Sequence, residues 1–476
     1  MDILVNKKLK KWKHPELYTS TTLRYPAPKG APTFYNNNIV KSKIVRTFIT
    51  LDEVWDYKTG EFFWNYKIGE HKVKLEDRYY NYDWYRVKPT GVNFIDYITE
   101  NAKNSEEVLL SIGRYERELF DGVISFDLYI DAVTKIIEYY KELCPNIVYI
   151  EPCNEPQSSP FGGLTINEVV KLYEVIGQIV KKLNKKHKYQ KPLKFGGYAP
   201  ACGYELIDSW ELFLEKLALL PKSKRVIDYY SFHVYSTNLL EVELYVLRHN
   251  QKIKELGLPS KPIFVDELGF WYDSPEISAN LKNACGTVAH LLNVARLNNV
   301  YAFPWCSWHN PDIQMGFTQL IKKDGEYVIT PNGFSIKLLT MLNDYKMPIA
   351  LNRHFGAVAT TNKERTEFSV LFANTYDVKR KASFGFVGLK DGEYSVEEYV
   401  IDENTNNCFS LNYNGNLNKT SEFTLSKQDG VYTIEKPCLP YSITLWKITL
   451  HSHVLCKKAE LNKSKNNANN TVIMTD

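Results

Sequence analysis

Residues 147–156 read IVYIEPCNEP, and the rest of the chain can be placed around this stretch. Its apolar and aromatic start changes abruptly to the polar triplet Asn154-Glu155-Pro156, and a short apolar run that ends in a turn signal predicts a buried strand leaving a sheet. Pro156 lacks a backbone donor and ends the strand. Glu155 is therefore predicted where a strand gives way to a loop, which is where barrels of parallel strands carry catalytic groups.

A second stretch of the same kind lies at 261–271 and reads KPIFVDELGFW. Here an apolar run ends in two acids, Asp266 and Glu267, followed closely by Gly269. Because side chains alternate along a strand, only one of the two acids is expected to face inward. Two carboxylates at the ends of two buried strands are what acid/base cleavage of a glycoside requires.

Length and composition indicate an ordinary globular protein with one large domain and one smaller domain, since 476 residues are too many for one small core. The net charge of +4 does not favour nucleic-acid binding. The 33 Tyr, 23 Phe and 9 Trp suit a carbohydrate site, because aromatic faces stack on sugar rings, but biased composition explains them equally well. We see no signal peptide or membrane-spanning run, and eight scattered cysteines without a CxxC pair predict reduced thiols in a cytoplasmic protein.

Strands alternate with helices over residues 1–345, which implies parallel strands joined by helical crossovers. Eight strands make a (β/α)₈ TIM barrel the economical prediction. An open doubly wound sheet is the alternative, but the glycine-rich phosphate loop typical of that fold is absent after the first strand. The predicted strands are 17–24, 44–51, 108–112, the stretch 147–156, 193–198, 226–235, 263–267 and 301–308. The predicted helices are 91–102, 128–143, 166–183, 208–220, 240–256, 277–298 and 334–342.

After residue 345 the pattern changes to short alternating segments separated by Asp-Gly and Asn-Gly turns. This pattern predicts an antiparallel β-sandwich over 346–456, which about the first 15 residues of the chain could join. The polar, Asn-rich residues 457–476 are predicted to be disordered.

The two strand-end stretches resemble those of a known group of enzymes. IVYIEPCNEP resembles the fourth-strand Asn-Glu-Pro of the retaining clan A glycoside hydrolases, and KPIFVDELGFW resembles their seventh-strand nucleophile segment. Further pieces are similar to glycoside hydrolase family 39, the β-xylosidases and α-L-iduronidases: IVRTFITLDEV at 44–54, FGGYAPACG at 195–203 and YYSFHVYS at 229–236. The resemblance covers roughly residues 40–450. Phe48 and His309 depart from it, since the family often has His and Asp near these positions.

The resemblance implies roles for four residues. Glu155 would be the general acid/base, although a capping acid of the next helix is the plain alternative. Glu267 would be the nucleophile, with Asp266 or a rim salt bridge as alternatives. Asn154 would bind the sugar 2-hydroxyl, or be a turn residue only. Arg46 would pair with the nucleophile and keep it ionised, or form an ion pair with no catalytic effect.

Four more residues are candidates for substrate binding. His233 and Tyr235 end the sixth strand on the same face, so that either could hydrogen-bond Glu267. Trp305 and Trp308 could form the sugar platform, although large aromatic residues in strands are more often core, and Trp305 is the better candidate.

The sequence therefore predicts a retaining O-glycoside hydrolase that acts on an oligosaccharide or glycoconjugate. A catalytically inactive carbohydrate-binding protein on the same scaffold is the alternative, and a barrel esterase or lyase is a weaker third reading. No metal site or cofactor is predicted, because the ten His residues show no HExxH or paired spacing. Neither nucleic acid nor a membrane is an expected partner, and the oligomeric state stays open.

Overall fold

The computed structural model describes residues 1–22, 26–70, 79, 90–201, 206–270, 277–309, 316–350, 356–411 and 415–453. The predicted disordered segment 457–476 lies outside these ranges. So do residues 23–25, which include the end of the first predicted strand.

The predicted barrel is confirmed. Eight strands pair in chain order, and every pair is parallel. Numbered along the whole chain, they are β3 (Tyr18–Ser20), β4 (Ser42–Thr50), β5 (Ser105–Gly113), β6 (Ile147–Glu151), β7 (Lys194–Tyr198), β8 (Tyr229–Tyr235), β9 (Ile263–Gly269) and β10 (Val300–Pro304). The Ser307 N–H donates to the Ser20 carbonyl at 2.9 Å and joins the last strand to the first. All carboxyl ends therefore meet at one rim.

Helices cover the outside of the barrel, and those from Phe94–Lys103 onward lie at the predicted places. Their starts follow the sequence chemistry: the Ser125 side chain caps one helix, and Thr165 and Glu168 form a capping box on the next. The helices that connect barrel strands are Ala31–Asn38, Phe94–Lys103, Phe126–Leu143, Ile166–His187, Leu206–Leu219, Glu241–Glu255 and Ile277–Val294, and Pro331–Thr340 follows the barrel.

Apart from one separate hairpin, the remaining strands form two sheets that enclose an apolar core. One sheet has the order β1-β16-β20-β19 and the other β18-β17-β21-β15-β14-β13-β2. Their bounds are β1 (Asp2–Leu4), β2 (Lys10–Lys11), β13 (Tyr345–Met347), β14 (Gly356–Thr361), β15 (Glu367–Asn374), β16 (Arg380–Val387), β17 (Gly392–Ile401), β18 (Ser421–Thr424), β19 (Ser426–Gln428), β20 (Val431–Cys438) and β21 (Ser442–His453). We propose residue 345 as the boundary between barrel and sandwich, with β1 and β2 assigned to the sandwich.

The seven-stranded sheet buries both of its faces, as period-two alternation allows. One face looks into the sandwich and includes Val370 and Trp446, while the other packs on the barrel helices and includes Leu371 and Leu445. The approach is close: a Cβ added at Gly356 would lie 2.8 Å from the Cβ of Ala289 on the helix Ile277–Val294. The sandwich therefore braces the barrel.

Two short elements depart from the sequence prediction. No helix was predicted between the strands 17–24 and 44–51, but the helix Ala31–Asn38 begins there with Pro32 in its first turn, where a missing N–H costs nothing. No strand was predicted between the strand 301–308 and the helix 334–342, but β11 (Leu320–Lys323) and β12 (Glu326–Ile329) pair there as a hairpin.

Candidate active site

The barrel rim brings six of the eight predicted site residues together. Arg46 lies on β4, Asn154 and Glu155 follow β6, His233 and Tyr235 lie on β8, and Glu267 lies on β9. Residues so far apart in sequence meet because the strands run parallel and end at the same rim.

Glu155 is held in an unusual backbone conformation and contacts a histidine. Its φ of 46° lies in the left-handed region, and its N–H donates to the Ala199 carbonyl at 2.9 Å. One carboxyl oxygen lies 2.7 Å from Nδ1 of His233. Glu155 does not cap the next helix, because Thr165 does. Burial raises the pKa of Glu155 to about 7, against the opposing charge of Arg46, so that the group can hold a proton near neutral pH.

Glu267 has both carboxyl oxygens engaged. Arg46 donates from Nη1 to one oxygen at 2.7 Å, and the Tyr235 hydroxyl donates to the other at 2.7 Å. Nδ1 of His233 lies 3.5 Å from the second oxygen. These contacts fix the position of the carboxyl group.

The two carboxyl groups face each other across the rim. A Glu155 oxygen, a Glu267 oxygen and a His233 nitrogen all lie within 4.8 Å of one another. Burial lowers the pKa of His233 to about 4, so that the imidazole is neutral at physiological pH. Three such ligand atoms could hold a cation, but both Glu267 oxygens and the histidine nitrogen already have hydrogen-bond partners.

Arg46 is the fully buried hub of the site. Its guanidinium donates to Glu151 from Nε at 3.1 Å and from Nη2 at 2.6 Å, and to the Asn154 side-chain oxygen at 2.7 Å. Burial opposes ionisation of Glu151, but Arg46 outweighs it and lowers the pKa of that carboxyl. Because the Asn154 oxygen faces Arg46, its amide nitrogen is directed elsewhere.

Both acids on β9 turn inward, so the expectation that alternation admits only one of them is wrong. The pairing of β8 with β9 shifts between Phe232 and His233, which leaves Asp266 as the extra residue of a β-bulge. Asp266 is fully buried, 3.6 Å from Nε2 of His233 and 3.9 Å from Nε of Arg46. Burial and the charge of Glu151 raise the pKa of Asp266 well above its usual value, which favours a neutral carboxyl.

The two tryptophans lie in different places. Trp305 belongs to an apolar cluster with Phe48, Phe161 and Phe317 beside the site, and it contacts the Phe48 ring edge-on at 6.4 Å between centroids. Trp308 instead packs 6.1 Å from Tyr327 and is not brought to the carboxylates. His309 is buried.

Sequence reasoning missed Glu151 as a member of the site. It stands at the end of the apolar run of β6, where an acid four residues before Glu155 was the available signal. Burial of an acid in a parallel strand requires a partner, which here is Arg46.

Comparisons with known proteins support the fold. No family profile matches the sequence, and no curated protein matches it. Solved structures match over nearly the whole chain. The GH39 enzyme from Xanthomonas axonopodis pv. citri has 14% identity and a TM-score of 0.63, covering 94% of this chain and 97% of that one. A monomeric beta-xylosidase from Caulobacter crescentus CB15 has 13% identity and a TM-score of 0.63, covering 95% and 99%. The alpha-L-arabinofuranosidase from Thermotoga maritima, in its arabinose complex, has 13% identity and a TM-score of 0.59, covering 94% and 99%. At the level of the fold, these matches confirm the predicted resemblance to glycoside hydrolases.

Two further features concern membrane-spanning helices and the state of the cysteines. Within the described ranges, none of the helices combines the length and the apolar character that crossing a membrane requires. The six described cysteines are buried free thiols.

Proposed function

We propose that the protein is a retaining O-glycoside hydrolase that works by double displacement. The observation that carries the proposal is the pair of facing carboxyl groups on two barrel strands, with oxygens within 4.8 Å of each other. Retaining enzymes hold their two carboxyl groups about 5–5.5 Å apart, whereas inverting enzymes leave about 6.5–9.5 Å for a water molecule. The unequal surroundings of Glu155 and Glu267 also support two different roles.

In the first step, the Glu267 carboxylate attacks the anomeric carbon and forms an ester with the sugar. The bond from that carbon to the leaving oxygen breaks, and Glu155 gives its proton to the oxygen. The raised pKa of Glu155 makes a proton available near pH 7. Hydrogen bonds from Arg46 and Tyr235 orient the Glu267 carboxyl group for attack.

In the second step, the Glu155 carboxylate takes a proton from water. The water oxygen attacks the anomeric carbon, and the Glu267 carboxylate leaves. Neutral His233 can form one hydrogen bond with Glu155: Nδ1 accepts from the protonated acid in the tautomer that carries its proton on Nε2, and donates to the carboxylate in the other tautomer. The Asn154 amide, turned away from Arg46, is suited to the sugar 2-hydroxyl, and Trp305 offers an aromatic surface.

A screen of aryl glycosides tests the proposal, with the anomeric configuration of the first product read by NMR. We expect turnover with retained configuration, and loss of turnover in Glu267→Gln. Sugar binding without turnover would favour the inactive carbohydrate-binding alternative. An inverted product would refute the double displacement.

A further inference from the structure

A small cavity lies directly beside Asn154 at the barrel rim. Its volume is about 10 Å³, which matches one water molecule or one hydroxyl group. The residues that line it include Phe48, Ser111, Arg114, Glu116, Asn154 and Phe161.

Glu116 is an acid in this wall that the proposed mechanism does not use. The residue is 2% exposed and opens a short helix just after β5. One carboxyl oxygen accepts a hydrogen bond from the Arg114 N–H at 2.8 Å. The other oxygen, Oε2, is buried without a hydrogen-bond partner among the residues that the structure describes. Buried polar groups are otherwise almost always satisfied, so an unsatisfied oxygen on a residue that lines a cavity points to a ligand group.

The chain holds Glu116 in place by a constrained backbone. Arg114 and Tyr115 both have positive φ, 79° and 63°, which residues other than glycine seldom adopt. The Arg114 side chain is tied to the loop after β6, because its Nη1 donates to the Pro160 carbonyl at 2.9 Å. The carboxyl group therefore has a fixed position next to the cavity.

The chemistry of this carboxyl suits a hydroxyl group. Burial raises the pKa of Glu116 to about 8, so the group is mostly protonated at neutral pH. Since Oε1 already accepts from the Arg114 N–H, Oε2 carries the proton that is available to a hydroxyl group in the cavity, and the same oxygen can accept in return. Phe48 also lines the cavity, but its aromatic ring cannot form such a hydrogen bond with a hydroxyl group.

We propose that Glu116 is a specificity-determining residue that binds one hydroxyl group of the sugar, adjacent to the group bound by Asn154. The inference rests on the proposed glycosidase function and deepens it. The size of the cavity selects a single hydroxyl over a bulkier substituent such as an acetamido group.

The test uses the best aryl glycoside from the screen and the set of its analogues in which each sugar hydroxyl is replaced in turn by hydrogen. With the unchanged protein, kcat/KM should be roughly 10- to 100-fold lower on one deoxy analogue, other than the 2-deoxy compound, than on the parent glycoside. This penalty reflects the lost hydrogen bond to Glu116. Glu116→Leu should lose a similar factor on the parent glycoside and show no further loss on that analogue. Glu116→Gln, which keeps a donor at the position of Oε2, should retain the parent activity and the penalty.

Glu118→Gln is the matched control, because Glu118 is a buried acid on the same short helix that does not line the cavity. It should keep the whole pattern of penalties, and thermal unfolding of each variant shows that it is folded. If the penalties in Glu116→Leu equal those of the unchanged protein, the inference is overturned. If Glu116→Leu does not fold, Glu116→Gln decides. The inference is overturned if this variant is folded and loses its activity on the parent glycoside, or is active and shows no fall in kcat/KM on the deoxy analogue.

Calorimetric titration with the free parent sugar and its deoxy analogues separates this inference from the proposed function. Absence of turnover on all glycosides defeats the proposed hydrolase, but sugar binding weakened by Glu116→Leu would still support the hydroxyl subsite. A protein that neither binds nor cleaves these sugars overturns both.

Discussion

Glu155 and Glu267 differ in their surroundings, and kinetics should separate their roles. In the proposed mechanism Glu267 acts in every turnover, so Glu267→Gln should abolish activity on all glycosides. With a phenol of low pKa as leaving group the first step needs little protonation, so Glu155→Gln should release a burst of phenol and then stall. Steady-state turnover should fall roughly 10²- to 10⁴-fold, and azide, which needs no base, should restore it. A burst in Glu267→Gln instead would mean that the roles are exchanged.

The raised pKa of Glu155 predicts the alkaline side of the pH profile. The first step needs the protonated acid, so kcat/KM should decline as pH rises through about 7, the pKa that burial gives this group. In Glu155→Gln, assayed with an activated aryl glycoside, this decline should disappear from the rate of the burst. A decline that persists unchanged in the variant would assign it to another group.

Arg46 connects Glu267 to the barrel interior, so its loss should affect both stability and activity. Arg46→Met leaves the buried carboxylates of Glu151 and Glu267 without their partner, and breaking such a pair costs about 3–5 kcal/mol. Arg117→Met is the control: Arg117 pairs with Asp121 and Glu168 nearer the surface, where such pairs contribute about 0–1 kcal/mol. Chemical denaturation measures the free energy of unfolding of both variants. Equal losses of stability would argue against a special role for Arg46.

At the residue scale, the sequence indicated much of the site but not all of it. The ends of the predicted strands and the Asn-Glu-Pro triplet predicted the residues that lie around Arg46 in the structure. The inward turn of Asp266 could not be foreseen, because a bulge depends on register with the neighbouring strand. Glu116 could not be foreseen either, since its position depends on the left-handed conformation of the two preceding residues.

At the scale of elements, periodicity predicted the barrel strands and helices because each buries a regular apolar face. The edges of the sandwich were less visible. Strands such as β2 and β19 have two or three residues and show little alternation, so that only pairing with a neighbour defines them.

Close packing between helix and strand gives a test at this scale. Gly286 lies on the helix Ile277–Val294, and a Cβ added there would lie 1.7 Å from the ring of Phe270, directly after β9. Gly286→Ala gains about 1 kcal/mol of helix propensity, but we expect the clash to exceed this and to destabilise the protein by about 1–3 kcal/mol. Gly177→Ala is the matched change, since its nearest contact is 3.0 Å from the Phe195 ring. Thermal unfolding should show a larger loss for Gly286→Ala, and the opposite order would contradict this packing argument.

At the scale of the whole molecule, the barrel should depend on the sandwich. The shared apolar layer includes Val358, Leu371, Ile401, Ile443 and Leu445 from the sandwich. Burying each such side chain contributes about 1.5–3 kcal/mol, so the layer rivals a typical domain stability of about 5–15 kcal/mol. We predict that a chain ending after Asp344 is insoluble, whereas one ending after residue 456 is soluble. A soluble, cooperatively unfolding barrel from the shorter chain would contradict the prediction.

The pairing of β1 with β16 has a consequence for synthesis on the ribosome. Residues 2–4 are translated long before Ile349, which bridges to Ile3, and almost 400 residues before their strand partners 385–387. At about 5–20 residues per second, the first strand waits on the order of 20–80 s with Ile3 and Val5 uncovered. Nascent chains stalled with residue 340 outside the exit tunnel should lose residues 2–4 to a protease, while chains stalled after residue 453 has emerged should protect them. Equal protection in both would show that the first strand finds cover before its partner exists.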